Sequence, residues 1–104
     1  MRRAHKYGAV ATWVDGMRFA SGKEAARYSE LKLMERAGVI SNLELQPRFP
    51  MVLNGALVTT YVADFGYDES GGHVIEDVKG VQTPEFKIKA KLMAAIYNIT
   101  VRIT

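Results

Sequence analysis

The stretch from His73 to Ile103 limits the possible folds most. It reads "HVIEDVKG", then "TPEFKIKAKLMAAIYN", then, directly after it, "ITVRI". The first piece is β-prone. The second is a helix with Thr83 as its cap and Pro84 at its first position, where a missing N–H costs nothing. The third is a short β-branched run. A helix set between two strands carries the chain back along a sheet, so the closing strand lies parallel beside an earlier one. The segment therefore predicts an α/β fold.

The rest of the chain fits that class. "ATWVDGMRFAS" reads as a short hairpin, because Asp15-Gly16 is a favoured tight-turn pair between β-prone flanks. "SGKEAARYSELKLMERAG" reads as a helix capped by Ser21 and ended by Gly38. "NLELQPRFPMVL" is extended but interrupted by Pro47 and Pro50, as in an irregular or edge strand. "ALVTTYVADFGYD" and "HVIEDVKG" form a second hairpin around "ESGG". The expected order is a hairpin, a helix, three strands, a helix and a strand. Such an order makes an α/β sandwich with a small mixed sheet.

A chain of 104 residues, 48% of them hydrophobic, suits one domain over 1–104 with one modest core. Cysteine is absent, which excludes disulfides and thiolate zinc sites. No apolar run approaches a membrane span, and "MRRAHKYG" lacks the apolar stretch of a signal peptide, so a cytoplasmic protein is expected. The net charge of +3 permits a polyanionic partner without singling one out.

The chemistry concentrates in "IEDVKG". Side chains alternate along a strand, so Ile75, Asp77 and Lys79 share one face while Val74, Glu76 and Val78 share the other. Alone, an aspartate two residues before a lysine is no more than a surface pair. The preceding strand changes that. Asp64 stands among Tyr61, Val62, Ala63 and Phe65 in "YVADFGY", where a bare buried carboxylate costs several kcal/mol, on the order of what buried ions cost elsewhere. Hairpin pairing brings Asp64 toward Asp77. Two close carboxylates repel unless a cation sits between them, and hard oxygen donors suit Mg2+ or Mn2+. Lys79 beside a metal-bound water then has work at a phosphate, orienting the water or stabilising charge.

Asp64, a spacer and Asp77-Val78-Lys79 resemble the PD-(D/E)xK nuclease signature. With "VDGMRFASGKEAARYSELKLMERAG", "LELQPRF", "YVADF" and "EDVKG", most of the chain resembles a small phage-associated, DUF1064-like family assigned to that superfamily. Ala63 stands where the proline that names the motif would be. The resemblance implies a restriction-endonuclease-like sandwich and a metal-dependent DNA endonuclease, similar to phage and archaeal Holliday-junction resolvases. It implies that Asp64, Asp77 and the backbone carbonyl of Val78 bind the metal, that Lys79 serves the attacking water and that Glu24 completes the site. It also points to Gln46 near the active centre, to branched or duplex DNA as partner, and to a homodimer that places two centres on two strands.

Each of these residues has a plainer role beside the functional one. Glu24 completes a capping box with Ser21, yet Glu24, Tyr28 and Leu31 fall on one helical stripe that Leu31 aims at the core. Gln46 holds a ligand or phosphate, or is simply a polar residue ahead of Pro47. Gln82 and Thr83 sit where a helix N-terminus can meet a phosphate, or Thr83 only caps the helix. Lys87 and Lys91 share a helix face, and Arg2, Arg3 and Lys6 form a basic arm, all either touching phosphates or merely solvated. Arg27 and Glu30 read as helix-surface residues, His5 and His73 as solvated. Trp13 and Phe19 are core or a dimer surface. Within the nuclease class a nicking or processing enzyme for phage DNA is the alternative. Outside it stands a non-catalytic nucleic-acid-binding protein on the same fold.

Overall fold

A computed structural model describes residues 10–104. Arg2, Arg3, Lys6 and His5 lie outside the described residues. The chain runs β1 (Thr12–Val14), β2 (Met17–Phe19), α1 (Gly22–Arg36), β3 (Ile40–Leu45), β4 (Arg48–Leu53), β5 (Ala56–Val62), β6 (Phe65–Glu69), β7 (Gly72–Asp77), α2 (Pro84–Tyr97) and β8 (Arg102–Ile103). Both helices begin where their caps were expected. The Ser21 and Thr83 side chains accept the N–H groups of Glu24 and Phe86, each at 3.1 Å. Asp15 and Gly16, both left-handed, turn β1 into β2.

The terminal β-α-β unit forms as its sequence requires. β8 lies parallel to β7, with Glu76 opposite Arg102 and Asp77 opposite Ile103. The main sheet is mixed, in the order β3-β6-β7-β8, and its other pairs are antiparallel.

Between the helices stand five strands rather than three. The two long extended segments each break once, at Gln46-Pro47 and at Ala63-Asp64. Pairing nevertheless continues in one register across the break, since Leu45 lies opposite Phe65 and Arg48 opposite Val62. Gln46 N–H bonds the Asp64 carbonyl at 3.0 Å, and Ala63 N–H bonds the Pro47 carbonyl at 3.1 Å. The cause of the break is local. Gln46 takes a left-handed conformation (φ 52°) and Pro47 removes a ladder donor. Beyond the break, β4 and β5 form a separate two-stranded arm closed by left-handed Asn54 and Gly55. Such an Asn-Gly pair favours a tight two-residue turn.

The core has two halves, one on each face of the sheet. Phe19, Tyr28, Leu31, Phe65, Tyr67 and Val74 pack on the α1 side. Met51, Tyr61, Ile75, Phe86 and Met93 pack between the sheet, the arm and α2. Val74 and Ile75, adjacent on β7, fall in different halves, as strand alternation demands. Phe19 is core, whereas Trp13 is 67% exposed. Among the described residues no helix is long and apolar enough to cross a membrane.

Candidate active site

Asp64 and Asp77 meet at the break in the ribbon. The backbone crosses from β5 to β6 at Asp64, and β7 ends at Asp77. Each carboxylate is fixed by the other's surroundings. Asp77 Oδ1 accepts the Asp64 N–H at 3.1 Å, and Asp64 Oδ2 accepts the Val78 N–H at 2.8 Å. Asp77 is 1% exposed, and its Oδ2 accepts the Tyr61 hydroxyl. Burial, the side-chain hydrogen bond to Asp77 and the charges of Asp77 and Glu24 push the Asp64 carboxyl up to about 8. Two carboxyls drawn this close disfavour a second negative charge, so Asp64 holds its proton well above the ordinary carboxylate range.

Val78 contacts the pair through its N–H. An extended residue points its N–H and C=O to the same edge. The Asp77 carbonyl and the Lys79 N–H both bond Thr104 on the opposite edge, at 3.0 and 3.2 Å. The Val78 carbonyl therefore faces the Asp64 edge, where a ligand role was expected.

Lys79 follows Asp77 on the α2 side. Its Nζ stands 4.8 Å from the centre of the Phe86 ring, against which an ammonium is favourably held. An open groove of about 760 Å³ runs past it, lined by Ser21, Lys23 and Glu24 from the start of α1, by Asp64, by Val78 and Lys79, and by Thr83. Lys23 reaches across this groove, its Nζ donating to the Lys79 carbonyl at 3.4 Å.

Glu24 is 8% exposed and turns toward the acids. Burial raises its pKa, the Ala20 N–H lowers it, Asp77 raises it and Lys79 lowers it. Glu24 lines the groove with Asp64, and also a smaller cavity with Asp64 and Gln46. Among the described residues, however, no three His, Cys, Asp or Glu side chains group closely enough to hold a metal ion. The pair is Asp64 and Asp77, and Glu24 stands off from it. Such a pair still fits Mg2+, which keeps several waters and is commonly held by one or two carboxylates.

Other expected residues scatter. Gln82 is exposed, and Thr83 is occupied as the helix cap. Lys87 and Lys91 are exposed on α2, away from both cavities that Glu24 lines. His73 is exposed as expected, and its Nδ1 lies 2.6 Å from Asp68 Oδ1. The largest correction concerns Arg27, which is half-buried rather than a free helix-surface residue. It forms a two-pronged pair with Glu76, itself fully buried on the α1 face. Sequence reasoning also passed over Tyr61 and Lys23. For Glu76 a signal existed, since an acid amid Val74, Ile75 and Val78 needs a partner as much as Asp64 does.

The model of the family described as "Protein of unknown function (DUF1064)" matches residues 4–104. The chain belongs to this family. The acid pair, the lysine and the groove are thus features of a DUF1064 chain, and the match spans every element that builds them. No curated protein and no solved structure matches it.

Proposed function

We propose that this DUF1064 protein is a metal-dependent DNA endonuclease with a restriction-endonuclease-like sandwich over residues 1–104. One observation carries the reading: Asp64 and Asp77 are locked together through hydrogen bonds to each other's backbone surroundings, and Lys79 follows on the α2 side beside the groove. Two carboxyls held this close resist ionising together, and a divalent cation favours the doubly ionised pair.

In this reading Asp64, Asp77 and the Val78 carbonyl hold Mg2+ or Mn2+, with Glu24 reaching the site through water. The bound ion supplies an acidified water and a polarised phosphoryl oxygen. Lys79 orients the water and stabilises the charge that grows on the phosphate. Gln46, at the rim of the smaller cavity, supports a ligand through its amide. Water attacks phosphorus and releases a proton to solvent, one P–O ester bond breaks, and the leaving alkoxide takes up a proton from solvent. Recognition by backbone and shape suits a chain of this size, so branched DNA such as a Holliday junction is the favoured substrate, cut by a homodimer.

The lack of a three-acid grouping among the described residues favours a second reading, a nucleic-acid-binding protein without catalysis. A cleavage panel separates the two. Linear duplex, single strand, flap and four-way junction are incubated with Mg2+, Mn2+ or chelator. Metal-dependent cutting that is strongest on the junction is expected. Binding without cutting under every condition selects the second reading.

A further inference from the structure

The hydroxyl of Tyr61 donates to Asp77 Oδ2, while the Asp64 N–H holds Oδ1 at 3.1 Å. Each carboxylate oxygen has two lone pairs, so one donor on each leaves one free on each for a cation. The ring that carries the hydroxyl cannot swing away. Tyr61 is 3% exposed. Phe49, opposite it on β4, stacks with it at 6.4 Å between centroids, and Phe86 of α2 packs at 6.3 Å. The β4–β5 arm thereby sends one rigid donor into the acid pair from outside the main sheet.

We infer that Tyr61 is a positioning residue that holds the Asp77 carboxylate in the orientation a divalent cation needs. This rests on the nuclease reading above. A donor behind a ligating carboxylate fixes its rotamer, and loss of such a donor typically lowers metal affinity by about 10- to 100-fold. A purely structural tyrosine would instead satisfy a buried acid, and its loss would lower stability alone.

Calorimetric titration with Mn2+ alone, without DNA, tests this on the wild type, Tyr61→Phe and Tyr97→Phe. Tyr97 donates to the Pro50 carbonyl at 2.6 Å, so its replacement loosens the same arm without touching the acids. The expected result is Mn2+ affinity reduced by about 10- to 100-fold in Tyr61→Phe and unchanged in Tyr97→Phe. Wild-type affinity in Tyr61→Phe overturns the inference and leaves the metal reading standing. Equal weakening in both variants also overturns it, because arm packing then explains the loss. A wild type that binds no Mn2+ overturns the metal reading and the inference together. Should Tyr61→Phe fail to fold, the wild type decides. Tyrosine labelled with 13C at Cζ is titrated with Mg2+, and the Tyr61 signal is assigned by elimination against Phe replacements of the other tyrosines. Movement of that signal supports the role, and a signal that stays in place overturns it.

Discussion

Arg27 of α1 grips Glu76 of β7 with two hydrogen bonds, Nε to Oε2 at 2.7 Å and Nη2 to Oε1 at 3.0 Å. Tyr67 and Thr104 donate to the same carboxylate, so both of its oxygens are occupied. Burial opposes ionisation of Glu76, but Arg27 and Tyr67 outweigh it and hold the carboxyl below its ordinary value. This network fastens the strand that carries Asp77 to α1 on one face and, through Thr104, to the chain beyond β8.

Removing one partner strands the other, so Glu76→Ala should lose about 3 kcal/mol, the low end for a broken buried pair because Arg27 keeps some solvent. Urea unfolding measures it, and a midpoint near the wild type's would show that the pair contributes little. The pH dependence has a definite sign. A carboxyl depressed in the folded state stabilises fully above its unfolded pKa, about 4.3, and that contribution fades as pH falls through the folded value.

Asp64 predicts the opposite trend. Its carboxyl is raised in the fold, to about 8, so the folded state holds a proton that the unfolded chain releases near pH 4. Stability of the metal-free protein should therefore fall as pH rises between those limits. Thermal unfolding in chelator reads the slope. Asp64→Asn should flatten it, and added Mg2+ should flatten it by supplying the missing charge. A slope unchanged by both would remove Asp64 from the anionic pair.

Much of this was legible because it depends on neighbours in sequence. Ser21, Thr83 and Pro84 cap by local chemistry, Asp15-Gly16 turns by local conformation, and the parallel β8 follows from a helix between two strands. Strand alternation likewise separated Asp77 from Glu76. What escaped the sequence depends on distant partners. Tyr61 reads as apolar filler until the ribbon register brings its hydroxyl to Asp77. Arg27 reads as surface because its buried partner, Glu76, lies far along the chain. Of the two breaks, Pro47 announces the one at Gln46, whereas the one at Asp64 is invisible in its own segment, because it follows from pairing with that bend.

Gln46 offers a clean separation of backbone from side chain. Its left-handed backbone, at φ 52°, costs a non-glycine residue about 1–2 kcal/mol. Gln46→Gly removes that cost and the amide together, while glycine loosens the unfolded chain. The fold should keep its stability to within about 1 kcal/mol. Cleavage should fall if the amide supports a ligand or phosphate, and Gln46→Val should lose stability instead. Full cleavage in a stable Gln46→Gly protein would reduce Gln46 to a bend in the ribbon.

Lys79 gives the sharpest test of the chemistry. It lies on the Asp77 face of the strand end, half-buried, with its ammonium held over Phe86 and beside the groove. An ammonium has no lone pair, so it cannot be a metal ligand. Its use is to face negative charge as that charge grows in the transition state. Lys79→Ala should then slow single-turnover cleavage by about 100-fold or more, the equivalent of about 2.7 kcal/mol. Mn2+ affinity should hold or tighten, because a nearby positive charge has gone. Phe86→Leu should do far less, since it removes the ring that parks the ammonium and leaves the charge itself. Loss of Mn2+ binding in folded Lys79→Ala would make the lysine a structural organiser of the acids. Unimpaired cleavage would take it out of the mechanism, and the catalytic charge would then have to come from elsewhere in the groove, where Lys23 already reaches the Lys79 carbonyl.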